Sequence, residues 1–284
     1  MLSDVTTPER VDHVSSQGYA WGYIGSCVPF VVCLLLVLNA GKIGLSMEMS
    51  MMISFAIIAF WWFGLTLPLL KTYQQKYYVE RNPHAMQNSF KRLFETIKNV
   101  RKEKKIFLFL LAFFFYIDGV YTIIDMATAY GTALGFESTE LLLALLLTQV
   151  VAFPFAILFG RLSSKYEAAK LIRVCILAYL GISIFAIFLT KQWQFWLLAV
   201  LVGMFQGGIQ SLSRSYFTKI IPLAKLGEYF GLMDVCGKGA SFLGTTVVGV
   251  LSQTTGQINL SLGALSVFFM LGIVFFRMSE KREG

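Results

Sequence analysis

Two carboxylates interrupt a run otherwise fit for lipid. Residues 113–131 read FFFYIDGVYTIIDMATAYG, with Asp118 and Asp125 seven residues apart. A carboxylate at the centre of a bilayer costs a few kcal/mol or more, so one that is retained has a pairing, binding or proton-carrying role. Seven residues are two helical turns less about 20°, which puts both acids on one face with Tyr121 and Thr122 beside them. From a helix start near Ile106, Asp118 lies roughly 18 Å deep, close to the midplane, and Asp125 roughly 28 Å deep, near the opposite interface. Interfacial water accounts for Asp125 as a solvated helix-end acid. Asp118 has no such outlet. It reads as a proton carrier, or a partner for a cationic substrate group, or else as an internal ion-pair or hydrogen-bond anchor.

Two more polar stripes sit in apolar runs. Asp234 and Lys238 are one turn apart. A local pair would lower the cost of both; the sharper alternative has Lys238 reaching Asp118 or binding a substrate carboxylate. Gly231, Gly237, Gly239 and Gly244 around them permit close helix approach. Gln206, Gln210 and Arg214 recur at every fourth residue above a Gly203–Gly207 pair. They can hydrogen-bond neighbouring helices or a solute. Arg214, at the boundary, reads as a snorkelling anchor or a gate. Tyr19, Trp21 and Tyr23 read as interfacial aromatics.

The elements that must hold these residues are membrane spans. The 284-residue chain is 56% hydrophobic and 14% charged, with mean hydropathy +0.67. That is too apolar for a soluble domain of this size. Eight runs are near the length that crosses a bilayer, at about 19–38, 50–70, 106–130, 141–160, 171–190, 194–213, 229–251 and 259–276. Of the 24 lysines and arginines, 21 fall in the polar segments of one side, and only Lys42 and Lys191 in those of the other. This bias predicts an integral membrane protein with both termini cytoplasmic. It makes the basic balance topological, so no nucleic-acid partner is expected. The partners expected are the lipid bilayer, a small-molecule substrate and protons.

Segment 71–105 is the one long loop. Asn82-Pro83 reads as a helix start. Met86, Phe90, Leu93, Phe94, Ile97 and Val100 then follow at helical spacing between basic residues, as in an amphipathic helix on the membrane surface. The loop divides the chain into 1–70, with two spans, and 106–284, with six. Cys27, Cys33, Cys175 and Cys236 lie in apolar runs without metal-ligand spacing and read as small buried hydrophobes. No phosphate-binding loop, nucleophile motif, metal cluster or cofactor fingerprint is present, and the polar segments are too small to hold an enzyme.

Six spans behind a long basic loop look like half of a major facilitator transporter. Local blocks sharpen this: TTPERVDHVSSQGYAWGYIGS (6–26), YIDGVYTI (116–123), GMFQGGIQSLSRSYF (203–217) and EYFGLMDVCGKGASFLG (228–244). In order and spacing they resemble the vacuolar amino-acid effluxer (autophagy-related) branch of the major facilitators and its bacterial relatives. The resemblance implies an all-α polytopic bundle whose eight spans correspond to helices 5–12. Residues 1–70 would be the last two helices of the N-terminal bundle, 71–105 the cytoplasmic linker and 106–284 the C-terminal bundle. It further implies a secondary transporter of amino acids or another small polar solute, coupled to protons and working by alternating access, with the third and sixth spans lining the cavity. The site expected contains Asp118, Gln206, Gln210 and Lys238, with Tyr121 and Thr122 beside Asp118 and with Asp125, Asp234 and Arg214 coupling or pairing. GRLSSKYEAAK (160–170) is a partial form of the facilitator loop pattern, with Ser164 at the acidic position and Glu167 at the second glycine. The chain enters the family pattern at its fifth helix, so a truncated product is expected. The rival reading is a non-transporting membrane remnant or scaffold subunit lacking the first four helices.

Overall fold

The structure, a computed structural model, describes residues 2–74, 96–222 and 225–281. Among the described residues there is helix and no strand, and eight helices are long and apolar enough to cross a membrane. We label them α1 (Val11–Leu38), α2 (Met47–Thr72), α3 (Lys104–Ala133), α4 (Ser138–Leu162), α5 (Ala168–Ile187), α6 (Gln192–Ile220), α7 (Leu226–Thr255) and α8 (Ile258–Glu280). Helix is the form that satisfies every backbone polar group within the segment itself, which lipid cannot do. The ends follow local chemistry. Ser46 caps α2 by accepting from the Met49 N–H at 3.1 Å, and α7 ends at Gly256, whose φ of 67° is the left-handed region glycine adopts freely. The fold is thus the all-α membrane bundle expected. The surface helix expected from Asn82 onward lies outside the described residues except at its end, where 96–100 is helical with Thr96 and Val100 buried.

Helices α3, α5, α6 and α8 form the core. Phe109 stacks on Phe217 and contacts Tyr216 and Phe276, and the buried Tyr116 hydroxyl pairs with Ser213 at 2.7 Å. α1 lies along α4 and α6, where small residues let the backbones close. A Cβ on Gly207 would stand 2.6 Å from that of Ala156, and one on Gly203 2.6 Å from the Thr148 carbonyl. The Gly203–Gly207 pair is therefore a packing seam against α4. Gly160, read as part of a loop pattern, is still helical and lies against Ser16 of α1. α2 packs on α1 and buries only Ser50 and Ser54. Cys27 and Cys175 are buried and all four cysteines are free.

One end of the bundle gathers both described termini. There the starts of α1, α3, α5 and α7 meet the ends of α6 and α8, through Asp12–Lys219, Glu103–Tyr229, Arg173–Glu280 and Ser279–Lys105. Lys219 Nζ donates to Asp12 Oδ2 at 2.6 Å, while Asp12 Oδ1 is buried without a hydrogen-bond partner among the described residues. Lys219 is 37% exposed, so water screens part of this pair. Lys219→Met is expected to destabilise the protein by about 1–2 kcal/mol, short of the cost of breaking a fully buried pair. Thermal unfolding in detergent would register it, and the exchange Asp12→Lys/Lys219→Asp should recover part of the loss. No change in Lys219→Met would mean the pair contributes nothing.

Candidate functional site

Polar side chains from four helices converge on a cavity of about 100 Å³ within the membrane-spanning part of the bundle. Tyr19 comes from α1, Tyr121 from α3, Gln210 and Arg214 from α6, and Asp234 and Lys238 from α7. Phe113, Ile117, Phe230 and Met233 supply apolar wall. The Arg214 guanidinium sits 5.4 Å from the centre of the Phe230 ring, which orients it. Gln210 Oε1 accepts from the Tyr23 hydroxyl at 3.1 Å, leaving its amide N–H groups for other partners. Tyr19, Gln210 and Arg214 also border a larger concavity of about 630 Å³, with Gly18, Tyr23, Ser26 and Tyr73 on its other walls. Two cations, one carboxylate, an amide and two phenols around one space can hold a small solute by its charges while aromatic rings contact its apolar part.

Several expected partnerships do not form. Among the described residues Lys238 makes no ion pair with Asp234 or with Asp118; Asp234 and Lys238 are both exposed. Asp118 is not on the cavity wall. It is fully buried where α3 crosses α7, and its Oδ1 accepts from the Gly244 N–H at 2.9 Å and the Thr122 hydroxyl at 3.3 Å. Its Oδ2 is buried with no hydrogen-bond partner among the described residues. Asp125 is exposed. Gln206 is buried beside a small cavity with Gln149 and Thr148, its Oε1 without a hydrogen-bond partner among the described residues.

Helical geometry explains these departures. A step of four residues overshoots a full turn by about 40°. Gln206 and Arg214 therefore diverge by about 80°, one toward α4 and the other toward the cavity. Tyr121 and Thr122 are about 100° apart, so the first faces the cavity and the second faces Gly244. Gly237 and Gly244 are seven apart and share the seam on α3, while Lys238 falls beside it.

α1 begins at Val11, two turns before Tyr19; Tyr19 and Tyr23 turn inward, with rings 6.1 Å apart, onto the cavity walls. Trp21 points out, 65% exposed. α6 continues six residues beyond Arg214, to Ile220, and the Arg214 side chain lines the cavity. The missed signal was the polar but helix-compatible stretch VDHVSSQG before Tyr19.

A bundle of eight helices long and apolar enough to cross a membrane, with a mixed-charge cavity among them, defines a polytopic integral membrane protein. Comparison with known proteins agrees. The family model described as "Vacuole effluxer Atg22 like" matches residues 3–284, and the chain belongs to that family. An uncharacterized MFS-type transporter, YxiO, of Bacillus subtilis is 43% identical over 275 residues, covering 96% of this chain and 64% of that protein. Autophagy-related protein 22-1 of Aspergillus fumigatus is 26% identical over 304 residues, covering 95% of this chain and 48% of its own length. Autophagy-related protein 22-1 of Aspergillus niger is 26% identical over 302 residues, covering 95% and 47%. The chain thus spans under two thirds of the Bacillus protein and about half of the fungal ones.

Proposed function

We propose that this protein is a secondary transporter that moves a small polar solute, amino acids in the first place, through the cavity between α1, α3, α6 and α7. The observation that carries this reading is the convergence of Tyr19, Tyr121, Gln210, Arg214, Asp234 and Lys238 on one space. A charged residue in a membrane span faces protein or water, not lipid. Asp234 and Lys238, exposed and unpaired with each other, are therefore available to a solute. Arg214 and Lys238 would hold a carboxylate and Asp234 an ammonium group. The family's description as vacuole effluxer-like supports transport out of a compartment. In this reading 1–70 belongs to one bundle, 106–284 to the other and 71–105 is the linker. The two would rock about the cavity, in a bacterial cytoplasmic membrane with both termini cytoplasmic.

Asp118 would carry the coupling proton. Its carboxyl is held on one oxygen by Gly244 and Thr122 and bare on the other, so Oδ2 can take up a proton without disturbing either bond. Asp118→Asn keeps the acceptor for Gly244 and removes the titrating group. In vesicles it is expected to abolish solute movement driven by a pH gradient while leaving solute-for-solute exchange intact. Unchanged gradient-driven movement would remove Asp118 from coupling. Loss of all exchange in a folded Asp118→Asn protein would give it a solute-holding role instead.

A further inference from the structure

A second concave site lies away from the polar cavity, at the bundle end that gathers the termini. Between the second turn of α5 and the last turns of α8 is a space of about 630 Å³ lined by Arg173, Val274, Arg277, Met278, Glu280 and Lys281. Arg277 and Lys281 are four residues apart, so their heads lie over the same side of α8. Arg173 reaches in from α5. Its Nε stands 3.5 Å from Glu280 Oε2 but is not aligned to donate, and this buried N–H has no hydrogen-bond partner among the described residues. Neither Arg277 nor Lys281 forms an ion pair among them. Three cations thus face one carboxylate around a space large enough for a phosphate group.

The site is also half apolar. Val274 and Met278 form part of its wall. Helical periodicity continues this surface along both helices: Met270 and Val274 lie on the Arg277 face of α8, and Leu177 on the Arg173 face of α5. All three are exposed. A free phosphate would leave this apolar strip uncovered, whereas a phospholipid would set its headgroup among the cations and its acyl chains along the strip. The position at the end of a 23-residue span is the depth of a lipid headgroup. Lys170, nearby in the chain, is exposed, already paired with Glu167 at 3.3 Å, and not part of this pocket's lining.

We propose that the α5–α8 pocket binds the phosphate of an anionic membrane phospholipid through Arg173, Arg277 and Lys281. The test is native mass spectrometry of the detergent-solubilised protein titrated with phosphatidylglycerol or phosphatidylcholine of matched chains, with unfolding temperature as a second readout. Wild type is expected to retain phosphatidylglycerol preferentially and to be stabilised by it. Arg277→Gln/Lys281→Gln is expected to weaken that binding about tenfold or more. Lys165→Gln/Lys170→Gln, which removes equal charge outside the pocket, should leave it within about twofold. Equal retention of the two lipids, or equal loss in both double variants, would overturn the site. If excess inorganic phosphate displaced phosphatidylglycerol or stabilised the protein as well as the lipid does, the site would be one for a free anion and the lipid assignment would fall.

Discussion

Gly244→Val is expected to destabilise the protein by about 2–5 kcal/mol and to abolish transport. A Cβ at this position would collide with the Thr122 hydroxyl and stand 2.6 Å from Asp118 Oδ1. Nothing there can yield cheaply, because both side chains are buried in α3 and fixed to the same spot by hydrogen bonds. Forcing α7 away costs the overpacking term of about 1–3 kcal/mol. It also takes from the buried Asp118 carboxyl the hydrogen bond donated by the Gly244 N–H, for a further ~1–2 kcal/mol. The control is Gly239→Val on the same helix, where a Cβ would meet nothing within 4 Å. Helix propensity changes little between glycine and valine, so the two variants differ in packing alone. Thermal unfolding in detergent separates them; similar losses in both would mean that α7 does not depend on this crossing.

Removal of a single cavity cation is the second large effect. Arg214→Gln or Lys238→Gln is expected to lower amino-acid exchange in vesicles by about 30-fold or more, the consequence of about 2 kcal/mol lost with a desolvated charge pair. Lys238→Arg should retain more exchange than Lys238→Gln, since it preserves the charge. Arg214→Lys should do less well than Lys238→Arg, because Arg214 lies over the Phe230 ring and a planar guanidinium stacks there as an ammonium does not. Exchange within threefold of wild type in both glutamine variants would take the solute out of this cavity.

The spans could be read from the chain because length and apolarity are properties of a single segment. The run expected at 50–70 is the helix Met47–Thr72, and the shortest expected span, 259–276, is Ile258–Glu280. That Asp118 must face protein and not lipid was likewise legible, and it is fully buried. Which group a residue meets was not, because that depends on neighbours hundreds of positions away. Asp118 meets the backbone of Gly244, 126 residues on, and a backbone N–H leaves no mark in the side-chain pattern. Lys238 offered two charged partners in sequence and adopts neither. Gln206, Gln210 and Arg214 looked like one stripe, but the 40° drift of a four-residue spacing distributes them over two environments. The start of α1 was also missed, since the helix begins at Val11, eight residues before Tyr19, and the cavity-facing direction of Tyr19 depends on α3, α6 and α7.

Solute protection at Tyr121 tests the central claim most directly. In a protein whose four native cysteines are replaced by alanine, Tyr121→Cys places a thiol on the cavity wall and Thr246→Cys places one on the exposed side of α7. Labelling with a water-soluble maleimide would be followed with and without a mixture of the common amino acids. The account predicts several-fold slower labelling at position 121 in the presence of the mixture and no change at 246. Equal rates at position 121 with and without it, in a protein that still exchanges amino acids, would contradict the account and place the solute elsewhere.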